Sequence, residues 1–344
     1  MSQEGIDGLF VSSEPNVRYL SDFRNNESFL FLTQKKKYFL TDSRYVEQAR
    51  KEARGFTVIL RDTKPYPAMV EDLRKQEGCQ TVGFEALTIP HVFYMQLCRS
   101  VPLKNLIPTK NLIEDLRIKK DKGEVDSMRR AIAIMKRGID KLENETRPGM
   151  NEKAVQAKLE YDTKIFGSEK PAFDIIIARG AKSSMPHAVS DHKSVIKEND
   201  ILLVDMGTVY NGYHCDLTRC FFMGKIPPLM RKVYQIVLDA QLAGIAKVKP
   251  GVRAAEVDKA SRSYIARHGY GEQFGHGTGH GVGLEIHEAP TVSGRSNDIL
   301  EPGMVVTVEP GIYLPNRFGV RIEDMVLVTE KGHEVLTRDI HKRI

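Results

Sequence analysis

Four carboxylates and one glycine-rich run of histidines are the groups in this chain best able to do chemistry. The segment Asp200-Ile-Leu-Leu-Val-Asp-Met-Gly-Thr-Val-Tyr-Asn-Gly-Tyr-His-Cys-Asp-Leu-Thr-Arg carries Asp205 and Asp216 on either side of Asn211-Gly212, a dipeptide that favours a two-residue hairpin turn. That turn pairs Tyr210 with Tyr213 and, counting back, sets Asp205 opposite Thr218. Asp216 is two residues from Thr218 and shares its face of the strand. The two aspartates are then diagonal neighbours within reach of a common ion.

A second acidic hairpin runs through Met304-Val-Val-Thr-Val-Glu-Pro-Gly-Ile-Tyr, a Pro-Asn-Arg-Phe-Gly turn, and Val320-Arg-Ile-Glu-Asp-Met-Val-Leu-Val. A loop centred on Asn316 sets Glu309 opposite Glu323. Both strands are otherwise apolar, so both faces are expected to be buried. Two buried carboxylates facing each other are unfavourable unless one holds a proton or a cation lies between them. Two such hairpins together offer up to four negative charges, which two divalent ions would neutralise. Between the hairpins lies Phe274-Gly-His-Gly-Thr-Gly-His-Gly-Val-Gly-Leu-Glu-Ile-His-Glu, with His276, His280 and His287. Its glycines fit neither phosphate-loop pattern, and no lysine is at hand. They would let the backbone approach a small buried ion. His187, in Ser183-Ser-Met-Pro-His-Ala, carries a weaker signal.

These segments need a scaffold, and the pattern supplies one twice. Val125, Met128, Ile132, Met135, Ile139 and Leu142 mark an amphipathic helix ended by Pro148-Gly149, and Asn151 caps a second helix to about Phe166. Leu229 to Ile245 and a helix to about His268 repeat the arrangement around Pro250-Gly251. Pro148 matches Pro250, Val155 matches Val257 and Gly167 matches Gly269, at a constant offset of 102 residues. Residues 120–344 therefore read as a duplicated α/β unit with internal pseudo-two-fold symmetry. Before it, short strands and helices alternate from Gly8 to Phe84, which predicts a small α/β domain.

The longest apolar runs fall far short of the roughly 20 residues needed to span a bilayer. No basic and apolar leader opens the sequence, so the cytoplasm is expected. Cys79, Cys98, Cys215 and Cys220 form no C-x-x-C pair and are expected to be reduced, Cys215 as an apolar strand filler. The net charge of +6 is interspersed with acidic residues, and Lys35-Lys36-Lys37 reads as a hairpin tip, so nucleic-acid binding is not expected.

Val-Asp-Met-Gly, Asp-Leu-Thr-Arg, Gly-Thr-Gly-His-Gly, Val-Glu-Pro-Gly and Arg-Ile-Glu-Asp follow one another in that order. On these motifs the chain resembles the aminopeptidase P and prolidase family of pita-bread metallopeptidases, over nearly its whole length and more loosely near the N-terminus. The resemblance implies an α/β protein with a creatinase/prolidase-like domain over 1–115 and a catalytic pita-bread domain over 116–344. It implies a homodimer that hydrolyses the Xaa-Pro bond at the N-terminus of peptides. Asp205, Asp216, His280, Glu309 and Glu323 would hold two divalent ions, with Asp216 and Glu323 shared between them. The metal would be manganese, or alternatively cobalt or zinc, and a bridging water the nucleophile. Glu309 would shuttle the proton, and His187, His276 and His287 would hold substrate and stabilise the transition state. Arg321 would lie beside the substrate and steady a carboxylate ligand.

The chemistry suits such a substrate, because an Xaa-Pro bond is a tertiary amide lacking the N–H that general peptidases engage. The chain also departs from the family pattern. The N-terminus begins almost at the first strand, where relatives carry a helix, so part of that domain is expected to be missing. Prolidases often place an arginine just after the His-Glu-x-Pro segment; here that position is Thr291, with Arg295 offset. This favours an aminopeptidase taking longer peptides, with an Xaa-Pro dipeptidase as the alternative. A methionine aminopeptidase would have its last two glutamates further apart, and a creatinase-type enzyme or a non-catalytic binding module of the same fold would have lost ligands present here.

Overall fold

A computed structural model describes residues 1, 4–24 and 27–342. The chain divides into two compact units, Met1–Arg117 and Ile118–Ile344. In the first, six strands form a mixed sheet in the order Thr57–Leu60, Lys37–Thr41, Phe29–Thr33, Gly8–Val11, Val82–Glu85 and Leu106–Thr109. Phe10, Phe31, Leu40 and Val82 bury one face beneath the helices Tyr66–Gln76 and His91–Ser100. That last helix and the strand Leu106–Thr109 are not legible in the sequence. Pro108 argues against a strand, and the structure resolves the conflict by using that strand at the edge, where a missing N–H costs least.

The second unit is built on two helix pairs, Lys122–Glu145 with Glu152–Ile165 and Pro228–Ile245 with Ala254–Arg267. Asp121 and Glu124 close a capping box on the first helix, and Asn151 caps the second through Ala154 N. The expected apolar stripe from Val125 to Leu142 is buried. Gly149 and Gly251 have φ of 96° and 80°, and Gly167 and Gly269 have φ of 109° and 85°. The duplicated glycines thus stand where the backbone needs the left-handed region. The offset does not stay at 102. Asn151 bridges Val195 and Arg253 bridges Ile299, so the second copy carries two more residues before its acidic hairpin. Because two is the strand period, the slip preserves which face each side chain occupies.

The strands form a three-stranded sheet ordered Leu217–Phe222, Ile201–Met206, Ile176–Arg179, and a five-stranded sheet centred on Val305–Val308 between Gly279–Gly281 and Asp324–Thr329. The hairpin registers are those expected. Tyr210 pairs with Tyr213 and Asp205 with Thr218. In the second hairpin Val308 pairs with Asp324 and Gly311 with Arg321, leaving Glu309 and Glu323 abreast at a gap between two ladder segments. Among the described residues, no helix is long and apolar enough to cross a membrane.

Candidate metal centre and substrate cavity

The gaps in the hairpin ladders are what bring the carboxylates together. Released from its own hairpin, Glu323 donates its backbone N–H to Thr218 O of the other hairpin at 3.3 Å. Glu309 N–H likewise reaches Thr278 O in the glycine-rich segment at 2.7 Å, and His214 N–H reaches Gly283 O at 2.8 Å. The Glu323 and His214 bonds tie the two halves together, and the Glu309 bond holds the glycine-rich segment against its own half. The glycines permit this closeness. A Cβ on Gly279 would lie 2.0 Å from Thr307 O, and one on Gly281 2.1 Å from Ala289 O.

Asp205, Asp216, Glu309 and Glu323 point into one cavity of about 850 Å³, together with His187, His276, His280, His287 and Arg321. One ligand atom from each of Asp216, His280 and Glu323 lies within 4.8 Å of the other two. His280 Nε2 stands 3.6 Å from Asp216 Oδ2 and 3.5 Å from Glu309 Oε1. Its Nδ1 donates to Gly281 O at 3.0 Å, which leaves Nε2 bare and facing the carboxylates. Burial holds His280 down to about 4, so this imidazole is neutral near pH 7.

The acids are held in the opposite sense. Burial, then repulsion from Glu323 and Asp205, raises Asp216 well above its usual range. Burial, then repulsion from Glu309 and Asp205, does the same to Glu323. Burial raises Glu309 to about 8 against the pull of Arg321. Asp205 Oδ1, Asp216 Oδ1 and Glu323 Oε1 are buried without a hydrogen-bond partner. Bare buried carboxylate oxygens around an unprotonated imidazole nitrogen are costly as they stand. They are the donor set that divalent cations satisfy.

Arg321 organises the wall. It donates to Asp205 Oδ2, to Thr218 Oγ1 at 3.0 Å, to Tyr313 Oη at 2.8 Å and to Pro186 O at 3.2 Å. Thr218 in turn donates to Glu323 Oε2 at 2.8 Å. His276 donates from Nδ1 to Gly277 O at 2.7 Å, so its Nε2 accepts from Tyr313 Oη at 3.0 Å. Both nitrogens of His276 are thus engaged, which sequence reasoning did not anticipate. His187 and His287 are exposed at the cavity, and the His287 ring packs edge-on to His280 at 4.3 Å.

All nine residues singled out in the sequence line this one cavity. Thr218, Thr307 and Tyr313 were not assigned roles, yet they bond Glu323, Glu309 and His276. Two of them had a signal, since Thr218 and Thr307 stand two residues from Asp216 and Glu309 on the same strand face. Cys215 is fully buried against Thr208 and Met135, with its thiol pushed up to about 11. It is an inert filler, and all four cysteines are unpaired.

Residues 126–330 match the model of metallopeptidase family M24, and residues 1–119 match the creatinase/prolidase N-terminal domain. An uncharacterized peptidase of Bacillus subtilis is 38% identical over 97% of this chain and 94% of its own. The Xaa-Pro dipeptidase of Pyrococcus horikoshii is 35% identical over 98% of this chain and 94% of its own. Among solved structures, an Xaa-Pro dipeptidase from Bacillus anthracis superposes with a TM-score of 0.96 at 39% identity, over 100% of this chain and 96% of that one. An X-Pro aminopeptidase from Thermotoga maritima gives 0.91 at 33%, over 97% and 96%. With its α/β architecture, its paired domains and its carboxylate-lined cavity, the chain belongs to metallopeptidase family M24 and is a metallopeptidase with a creatinase/prolidase-type N-terminal domain.

Proposed function

We propose that this protein is an Xaa-Pro dipeptidase, hydrolysing the bond between a first residue and a proline. The observation that carries the chemistry is the set of partnerless buried carboxylate oxygens around His280 Nε2. Asp205, Asp216, His280, Glu309 and Glu323 would hold two divalent ions. Four carboxylates and one imidazole make an oxygen-rich set, which supports manganese, with cobalt or zinc as alternatives. When bound, the ions supply Lewis acidity to the scissile carbonyl and acidify water.

The chain's own residues do the rest. Glu309, steadied by Thr307 Oγ1, is the proton carrier between water and the departing proline nitrogen. His187 and His287, exposed at the cavity, are the groups that meet the peptide and the charge developing on it. His276 shapes the substrate wall through Tyr313, and Arg321 fixes both Asp205 and the carbonyl of Pro186 beside His187.

The names of the full-length relatives support a dipeptide substrate over the longer peptides first expected. Thr291, which lines the cavity in place of an arginine, is what favours the aminopeptidase reading. We assign the protein to the cytoplasm, supported by its four unpaired cysteines. We also assign it as a homodimer, supported by the exposed Leu87, Val92 and Leu103 of the first unit. Manganese-loaded protein incubated with Ala-Pro, Ala-Pro-Ala and Ala-Ala-Ala tests the reading. Cleavage of Ala-Pro in preference to the tripeptide is expected. Preference for Ala-Pro-Ala would make it an aminopeptidase, and no cleavage of either proline peptide would end the Xaa-Pro assignment.

A further inference from the structure

The cavity does not end at the metal-site side chains. It continues past Ile175 and Ile176 to the first turns of the Glu152–Ile165 helix, where Lys153 and Gln156 line it. Ile176 is the strand neighbour of Asp205. Gln156 is buried, donates Nε2 to Ile175 O at 2.8 Å, and accepts from Lys153 Nζ at 2.8 Å. A fixed amide therefore holds an ammonium on the wall that leads away from Asp205.

That ammonium has charge and donors to spare. Among the described residues its side-chain partner is a neutral amide, which takes one of the three donors an ammonium carries. The other strong cation lining the cavity, Arg321, is fully engaged with Asp205, Thr218, Tyr313 and Pro186. Arg295 is exposed and does not line the cavity. Two turns along the same helix face stands Glu160, whose charge repels an anion that overshoots Lys153. A peptide carboxylate drawn into this space must exchange water for a charged partner.

We propose that Lys153, positioned by Gln156, is the anchor for the free C-terminal carboxylate of the substrate. The inference rests on the Xaa-Pro reading and adds to it a specificity residue: a short peptide is selected because its carboxylate ends within reach of one ammonium. An internal peptide bond in that place offers no charge to meet it.

The test compares KM for Ala-Pro and Ala-Pro-amide in the metal-loaded wild type, Lys153→Gln, Lys153→Arg and Arg295→Gln. Wild type is expected to favour the free acid. Lys153→Gln should raise KM for the acid relative to the amide about tenfold, the scale of one half-exposed charge-assisted bond. A loss confined to KM marks binding common to ground and transition states. Lys153→Arg should restore the preference. An unchanged acid-to-amide ratio in Lys153→Gln, or its collapse in Arg295→Gln instead, overturns the anchor while leaving the peptidase reading intact. A wild type that cleaves neither compound overturns the peptidase reading, and the anchor with it.

Discussion

Thr218→Val separates a positioning role from a packing role. Thr218 is fully buried, donates to Glu323 Oε2 at 2.8 Å and accepts from Arg321 Nε at 3.0 Å. Valine keeps the shape and removes both bonds. Glu323 Oε1 already lacks a partner, so the variant leaves that carboxylate with no side-chain hydrogen bond fixing its orientation. Hydrogen bonds to charged groups contribute about 1.5–3 kcal/mol each. Loss of an orienting partner behind a metal ligand lowers affinity by about 10- to 100-fold. Manganese titrated into metal-free protein by calorimetry should therefore bind at least tenfold more weakly. Unfolding in chelator should fall by ~2 kcal/mol or more, or at least about 4 °C for a unit of this size. Thr218→Ser should recover the metal affinity while keeping a small packing loss. Wild-type metal affinity in Thr218→Val, alongside reduced stability, would refute the positioning argument.

Other consequences follow from the same geometry. In metal-free protein Asp216 and Glu323 are raised above their ordinary values and Glu309 to about 8. Stability from these protonated acids is present below the unfolded carboxylate pKa and lost as pH rises through each folded-state value, which for Glu309 is about 8. The midpoint of thermal unfolding in chelator should fall over that window, and the increase given by added manganese should grow with pH; a metal-induced shift independent of pH contradicts this. Tyr313→Phe removes the hydroxyl between Arg321 and His276, and should lower kcat/KM about tenfold with metal content unchanged on elemental analysis. Gly279→Ala should lose metal binding and several kcal/mol of stability, since its Cβ would meet Thr307 O at 2.0 Å. Cys215→Ala should cost ~1–2 kcal/mol and leave manganese affinity untouched, because the thiol packs against Thr208 and Met135 outside the cavity.

The site was legible to the extent that local rules fix register. Asn211 and Gly212 take φ of 49° and 75°, the conformation their turn requires, and everything up to the Asp205–Thr218 pair follows by counting. The second hairpin is set in the same way by Asn316 at φ 60°. What was not legible depends on contacts between distant segments. Nothing near Glu323 in sequence says that its ladder breaks to reach Thr218 O, or that Tyr313 occupies His276. The two-residue slip of the duplication lies in the connection ahead of the acidic hairpin, where length is weakly constrained. Lys153 and Gln156 read as ordinary polar residues in the first turns of a capped helix. Their role appears only once Ile175 and Asp205 are seen on adjoining strands.

The claim on which the rest depends is that the carboxylates and His280 form a metal centre. Manganese titrated into chelator-stripped protein near neutral pH, and followed by calorimetry without any substrate, tests it directly. Two equivalents per chain are expected, falling in Asp216→Asn and Glu323→Gln. Absence of binding in the folded wild type, or stoichiometry unchanged in both variants, would contradict it.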